Sequence, residues 1–147
     1  PTNIDISNNL QLLAFFVEFN KLVILDNKLS PIEEFDLPIH IDKLANAGKD
    51  KIWIHNTDNN QLELLNLKNN KTEIQTVPLN TEILKISGNL NQLFVLDINN
   101  QLREYNYLGR LQKNTKVPMG TYDFFRTNNN LYFINKEGIY SHHKLIY

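Results

Sequence analysis

The chain has 147 residues, 41% of them apolar and 21% charged, with 15 basic against 16 acidic side chains and no cysteine. That length supports one self-sufficient core, and a formal charge of -1 gives no positive field for nucleic acid or an anionic bilayer. The longest apolar run, Leu12 to Val17, is far shorter than the roughly 20 residues a spanning helix needs, so no membrane insertion is expected; the missing cysteines exclude disulfides, thiolate metal sites and cysteine nucleophiles without fixing a compartment.

An internal repeat governs the reading in chain order. Pro38, Pro78 and Pro118 are spaced by 40, and a shift of 40 without a gap puts Asn60-Gln61-Leu62 on Asn100-Gln101-Leu102, Gly48 on Gly88 and Val77-Pro78 on Val117-Pro118. A shift of 80 brings the first unit into the same register, with Asn20 on Asn100 and Leu22 on Leu102. In the second unit Ile41 to Ala47 has some helical character, but the repeat assigns it to a first strand.

The third unit shows the pattern best. Glu82 to Ser87 alternates, Gly88 to Asn91 turns, and Gln92 to Leu96 is an apolar strand for a position buried on both faces. Asp97 to Asn100 turns again, Gln101 to Tyr107 alternates as a half-buried strand, and Arg110 to Val117 is a polar strand ended by Pro118. A fourth unit begins near Tyr122 and supplies three strands. Asparagine takes 23 positions and clusters in doublets where the repeat puts turns, because it tolerates the left-handed backbone of tight hairpins.

Four-stranded antiparallel units with a buried Leu93-Phe94-Val95-Leu96-Asp97 strand and a Gln101-Leu102-x-x-Tyr105-Asn106 strand resemble β-propeller blades of the NHL or YVTN-like kind. The Trp-Asp pair of WD repeats, the kelch double glycine and the sialidase aspartate box are missing, so the resemblance implies a shape and transfers no functional residue. The expected fold is all-β: a single domain over 1–147, with blades at 1–40, 41–80 and 81–120 and a partial blade at 121–147, about 3.7 blades in all. Three completions follow: part of a longer propeller, a four-bladed ring, or a larger ring closed with a second copy as a homodimer. The first is the expected one, with Pro1 standing where a starting methionine would.

In such a blade the turns from second to third strand and the blade-to-blade connections share one face, where partners bind. The candidates there are Glu18, His40, His55, Asp58, Asp97, Asn99 and Glu137, a polar and mildly acidic set. His40 and His55 lack metal-ligand spacing, and Asp58-Asn59-Asn60 lacks the glycine and closing glutamate of a calcium loop, so no metal and no cofactor is assigned. Glu33-Glu34 falls on an outermost strand, where a solvated edge is expected, and His142-His143 on a last strand, with one ring to each sheet face. Phe15, Phe16, Phe19, Trp53, Phe94, Tyr132 and Phe133 are read as core, while Tyr105, Tyr107, Tyr122, Phe124 and Phe125 take no assigned face. With no catalytic motif, the expected role is a non-enzymatic scaffold for a protein partner. The alternative is a lactonase-like hydrolytic propeller with a metal near Glu18, Asp58, Asp97 or Glu137.

Overall fold

The computed structural model describes residues 2–8, 10–37, 40–127, 130–141 and 144–147. Pro38, the Asn128-Asn129 pair and the His142-His143 pair, all used in the sequence reading, lie outside them. The remainder forms four antiparallel sheets, each in simple sequential order. The first holds β1 (Asn3–Asp5), β2 (Leu12–Phe16), β3 (Lys21–Leu25) and β4 (Pro31–Asp36); the second holds β5 (Ile41–Asn46), β6 (Lys51–Asn56), β7 (Gln61–Asn66) and β8 (Lys71–Gln75). The third holds β9 (Ile83–Gly88), β10 (Gln92–Asp97), β11 (Gln101–Asn106) and β12 (Leu111–Lys116); the fourth holds β13 (Asp123–Thr127), β14 (Asn130–Asn135), β15 (Gly138–Ser141) and β16 (Lys144–Leu145). The ambiguous 41–47 stretch is a strand, as the repeat requires. The last unit, read as three strands, has a fourth of only two residues.

Polarity explains the strand order. The second strands β6 and β10 are apolar on both faces and sit between neighbouring sheets in two directions, whereas β4, β8 and β12 are almost wholly exposed and form sheet edges. Successive sheets stack face to face, giving three apolar clusters, one per junction. Leu13, Phe15, Leu22 and Ile24 meet Leu44, Ile52, Ile54 and Leu65 at the first. Trp53, Leu62 and Leu64 meet Ile86, Leu93, Val95 and Tyr105 at the second. Phe94, Leu96 and Leu102 meet Phe124 and Phe133 at the third, where Arg126 lies over the Phe94 ring at 5.0 Å. Among the described residues no cluster joins the fourth sheet to the first.

The innermost strands come close enough to restrict residue size. A Cβ on Gly88 of β9 would meet the Asn46 carbonyl oxygen of β5 at 2.7 Å, so a side chain there would push the second and third sheets apart.

The gapless 40-residue register needs three local corrections. Between the second and third sheets the third strand advances by 40 and the second by 41: Trp53 pairs with Leu64, and Phe94 with Glu104. The turn after Asn56 is one residue longer than the turn after Asp97. Since a one-residue slip reverses every side chain, Trp53 matches Phe94 and not Leu93, and both point to the following sheet. Gly48 and Gly88 likewise differ, one in a turn at φ 98° and the other in β9. Val77 is exposed while Val117 is buried, and the N–H that mirrors Val117's bond to the Asn100 carbonyl is Leu79's, to the Asn60 carbonyl.

Candidate functional site

In a four-stranded antiparallel unit, the turn between second and third strands and the connection to the next sheet lie at one end. Hydrogen bonds tie them together here. The Leu37, Leu79 and Val117 N–H groups donate to the carbonyls of Asn20, Asn60 and Asn100. All three asparagines have positive φ, 49°, 56° and 59°, the left-handed geometry for which asparagine is suited. Their side chains reach the same connections: the amides of Asn20 and Asn60 donate to the Leu37 and Leu79 carbonyls, and Asn100 Oδ1 accepts from the Gly120 N–H at 2.8 Å.

The turns of the second, third and fourth blades are also capped from the strand before them. The side-chain oxygens of Asn56, Asp97 and Asn135 accept the N–H two residues on, from Asp58 at 3.0 Å, Asn99 at 2.9 Å and Glu137 at 2.8 Å. The asparagine and aspartate positions of this end are therefore turn chemistry first.

Behind the turns lie three polar groups. His55 Nδ1 is 2.6 Å from Asp42 Oδ1 and its Nε2 is 2.8 Å from Asn60 Oδ1. Because the Asn60 amide nitrogen is committed to the Leu79 carbonyl, both imidazole nitrogens face acceptors, an arrangement that favours the doubly protonated ring. Burial opposes the charge on His55, but the bonds to Asp42 and Asn60 outweigh it and hold the imidazole above its ordinary value. Burial likewise works against Asp42, and its bonds from His55 and Lys43 pull it below the usual carboxylate range.

Glu63, only 2% exposed, is held by neutral donors: the amides of Asn56, Asn59 and Gln75 reach Oε1 at 2.9, 3.0 and 3.2 Å, and the Thr72 hydroxyl reaches Oε2 at 2.8 Å. Burial raises its proton affinity, and the donors, led by Asn59, lower it by more. Asp97, 0% exposed, takes an Arg103 guanidinium bond at 2.6 Å on Oδ2 while Oδ1 holds the turn.

Of the seven residues named from sequence, Glu18, His40, Asp58, Asn99 and Glu137 are exposed at this end. His40 and Asp58 pair at 3.1 Å, Asn99 donates to the Thr81 hydroxyl at 2.9 Å, and Glu137 accepts from the Tyr140 hydroxyl at 2.8 Å. His55 and Asp97 are corrections: their side chains are interior, so neither contributes to the outer surface. Among the described residues no three metal-binding side chains gather.

The end is also less polar than the sequence reading had it. Phe19, Val77, Ile98, Met119 and Tyr122 are all exposed there, and Phe19 is thereby removed from the core set. Ile98 carried a legible signal, an apolar side chain inside a predicted four-residue turn. Of the unassigned aromatics, Tyr105 and Phe124 are buried, while Tyr107, Tyr122 and Phe125 are exposed.

The stacked four-stranded sheets define a β-propeller arrangement with four blades, the shape implied by the sequence resemblance. Solved structures agree. The chain is similar to the WD40 β-propeller domain of Doa1, at 10% identity and TM-score 0.66 over 95% of this chain and 49% of that one. It is also similar to BBS1N in complex with ARL6DN, at 17% identity and TM-score 0.63 over 89% of this chain and 45% of that one. The computationally designed Ika4 protein matches at 9% identity and TM-score 0.65, over 97% of this chain and 90% of that one. The chain thus spans less than half the length of the Doa1 and BBS1N chains, and these likenesses establish the fold alone. No family model matches the chain, and comparison with curated proteins finds no match.

Proposed function

We propose that the protein is a non-enzymatic scaffold whose turn-bearing end docks a protein or peptide partner. The carrying observation is the set of large apolar side chains exposed on the asparagine-braced turns and connections of that end, Phe19, Val77, Ile98, Met119 and Tyr122, among the polar Glu18, His40, Asp58, Asn99 and Glu137; the opposite end also exposes Leu10, Leu29, Leu90, Tyr107 and Leu108. Exposed apolar anchors with a polar rim are the composition of a protein-binding surface. The turns that carry them are braced by the asparagine bonds described above, so the anchors are presented with little ordering cost. That BBS1N was crystallised with ARL6DN supports the reading for the fold in general. The metal-dependent alternative draws no support from the carboxylates: Asp97 is occupied by Arg103 and its own turn, and the others sit in separate turns.

Selection of a random peptide library on the immobilised chain tests the proposal. The expected binders lose affinity with Phe19→Asp or Met119→Asp and keep it with Leu108→Asp, which lies in the turn between β11 and β12 at the opposite end. Binders insensitive to the first two substitutions, or none at all, would overturn it.

A further inference from the structure

The opposite end of the blades, made by the turns from first to second and from third to fourth strand, has its own chemistry. Its described turns hold Lys28, Lys49, Lys68 and Arg110 against Asp26 and Asp50, whereas the turns and connections of the turn-bearing end hold Glu18, Asp58, Glu82 and Glu137 against Lys136. The formal charge of -1 therefore conceals an acidic end and a basic one. Both aspartates of the basic end are occupied: Asp26 accepts the Lys28 and Ser30 N–H groups at 2.8 and 2.9 Å, and Asp50 pairs with Lys68 at 2.9 Å. Lys28, Lys49 and Arg110 are exposed and make no ion pair among the described residues.

Leucines stand among these cations. Leu10 and Leu90, in first-to-second-strand turns, are 75% and 68% exposed, and Leu29 and Leu108, in third-to-fourth-strand turns, are 67% and 44% exposed. Leu29 also has φ 64°, and among the described residues it is the only apolar side chain at a left-handed position. Its N–H closes the turn on the Asp26 carbonyl at 3.0 Å, as the Gly109 N–H does on the Asn106 carbonyl at 2.9 Å in the third blade. Gly109, at φ 72°, builds that turn without strain, and the corresponding turn of the second blade puts Asn70 at φ 54°. A leucine in this conformation crowds its Cβ against the carbonyl oxygen. Leu29 belongs to none of the three apolar clusters that would offset the cost. Strain at an exposed position that packing does not offset points to a use outside the chain.

We propose that this basic, leucine-tipped end binds the surface of an anionic lipid bilayer, with the leucines lying in the headgroup layer and the lysines and arginine against the phosphates. Charge complementarity names the occupant, and binding of this kind draws on apolar area and electrostatic attraction together. The tips belong to separate turns of the first and third blades. A fluid bilayer accommodates separate tips, where a peptide would need one continuous groove. The contact is interfacial: among the described residues no helix is long and apolar enough to cross a membrane. The turn-bearing end faces away from the bilayer in this arrangement, so the contact is independent of what docks there.

Co-sedimentation of the chain with vesicles of phosphatidylcholine alone, and of its equal mixture with phosphatidylserine, tests the proposal. Binding is expected to the mixed vesicles only, and to weaken as salt rises. Lys28→Glu lowers the partition coefficient by about 25-fold, two units of charge at roughly 5-fold each. Lys113→Glu, the same charge change midway along the exposed β12, lowers it far less. Leu29→Asn lowers it by roughly 10-fold, the worth of one leucine side chain returned to water. The same variant melts at or above the temperature of the parent, because asparagine suits the left-handed backbone. Equal binding to both kinds of vesicle, binding to neither, or binding that survives Lys28→Glu or Leu29→Asn overturns the proposal. Capture of a polyglutamate peptide without vesicle binding overturns it too, and gives the basic end to an acidic protein segment instead.

Discussion

Glu63 offers the sharpest test of the physical reading, because it is a buried anion held without a cation. Replacing it with alanine removes the acceptor of four donors at once. Asn59, Thr72 and Gln75 are exposed and turn to water, but Asn56 is buried and its amide is stranded. An orphaned buried donor costs about 1–3 kcal/mol, and hydrogen bonds to a charged group are worth ~1.5–3 kcal/mol each against water. With only the Asn56 bond irreplaceable, Glu63→Ala is expected to destabilise by about 3 kcal/mol. Glu63→Gln keeps one acceptor oxygen for the three amides and lets the Thr72 hydroxyl accept instead, so its cost is about 1 kcal/mol.

Urea unfolding followed by fluorescence of the single, buried Trp53 reads both variants, since Trp53 lies on β6, paired with β7 which carries Glu63. The folded carboxyl is more acidic than the unfolded one, so its stabilisation is present above the unfolded value and lost as pH falls through the folded value. Glu63→Gln is therefore expected to flatten the acid limb of stability against pH. Equal losses for glutamine and alanine, or an unchanged acid limb, would refute the account.

Three further outcomes follow from the same geometry. Raised proton affinity at His55 means that the Asp42–His55 pair stabilises fully below the unfolded histidine value and fades as pH rises through the folded value; Asp42→Asn should remove that alkaline loss, and an NMR titration of His55 should move toward the ordinary range. Arg103→Ala leaves the carboxylate of Asp97 uncompensated in the interior and is expected to cost about 3–5 kcal/mol in chemical denaturation, whereas Arg110→Ala, whose exposed side chain makes no ion pair among the described residues, should stay within ~0.5 kcal/mol. At Asn100, φ 59°, glycine should lose only the exposed bond from the Gly120 N–H, about 0.5–1.5 kcal/mol, while alanine costs about 1–2 kcal/mol more in the same assay.

Much of this architecture was legible because repetition is written in residue types. The 40-residue spacing, the apolar second strands and the asparagine doublets located the sheets and turns, and Asn20, Asn60 and Asn100 hold equivalent left-handed positions as the spacing requires. Local chemistry suffices there, since a turn that demands positive φ selects its residue wherever it sits. The turn-bearing end was also legible from strand order alone. What packs against what was decided by the tertiary structure. One extra turn residue after Asn56 shifted β6 against its counterpart and placed Trp53 on the face of Phe94, a change invisible without the strand pairing. His55 and Asp97 looked like surface groups because they border turns, but Asp42 and Arg103, distant by 13 and 6 positions, draw them inward. Phe125 took no assigned face from its strand, and only the packing of the blades decides that it stands 39% exposed while Phe124 beside it is buried. A sequence specifies which strands form because that rests on period and turn chemistry; which polar groups are paired and which apolar faces stay open depends on neighbours that only the folded chain brings together.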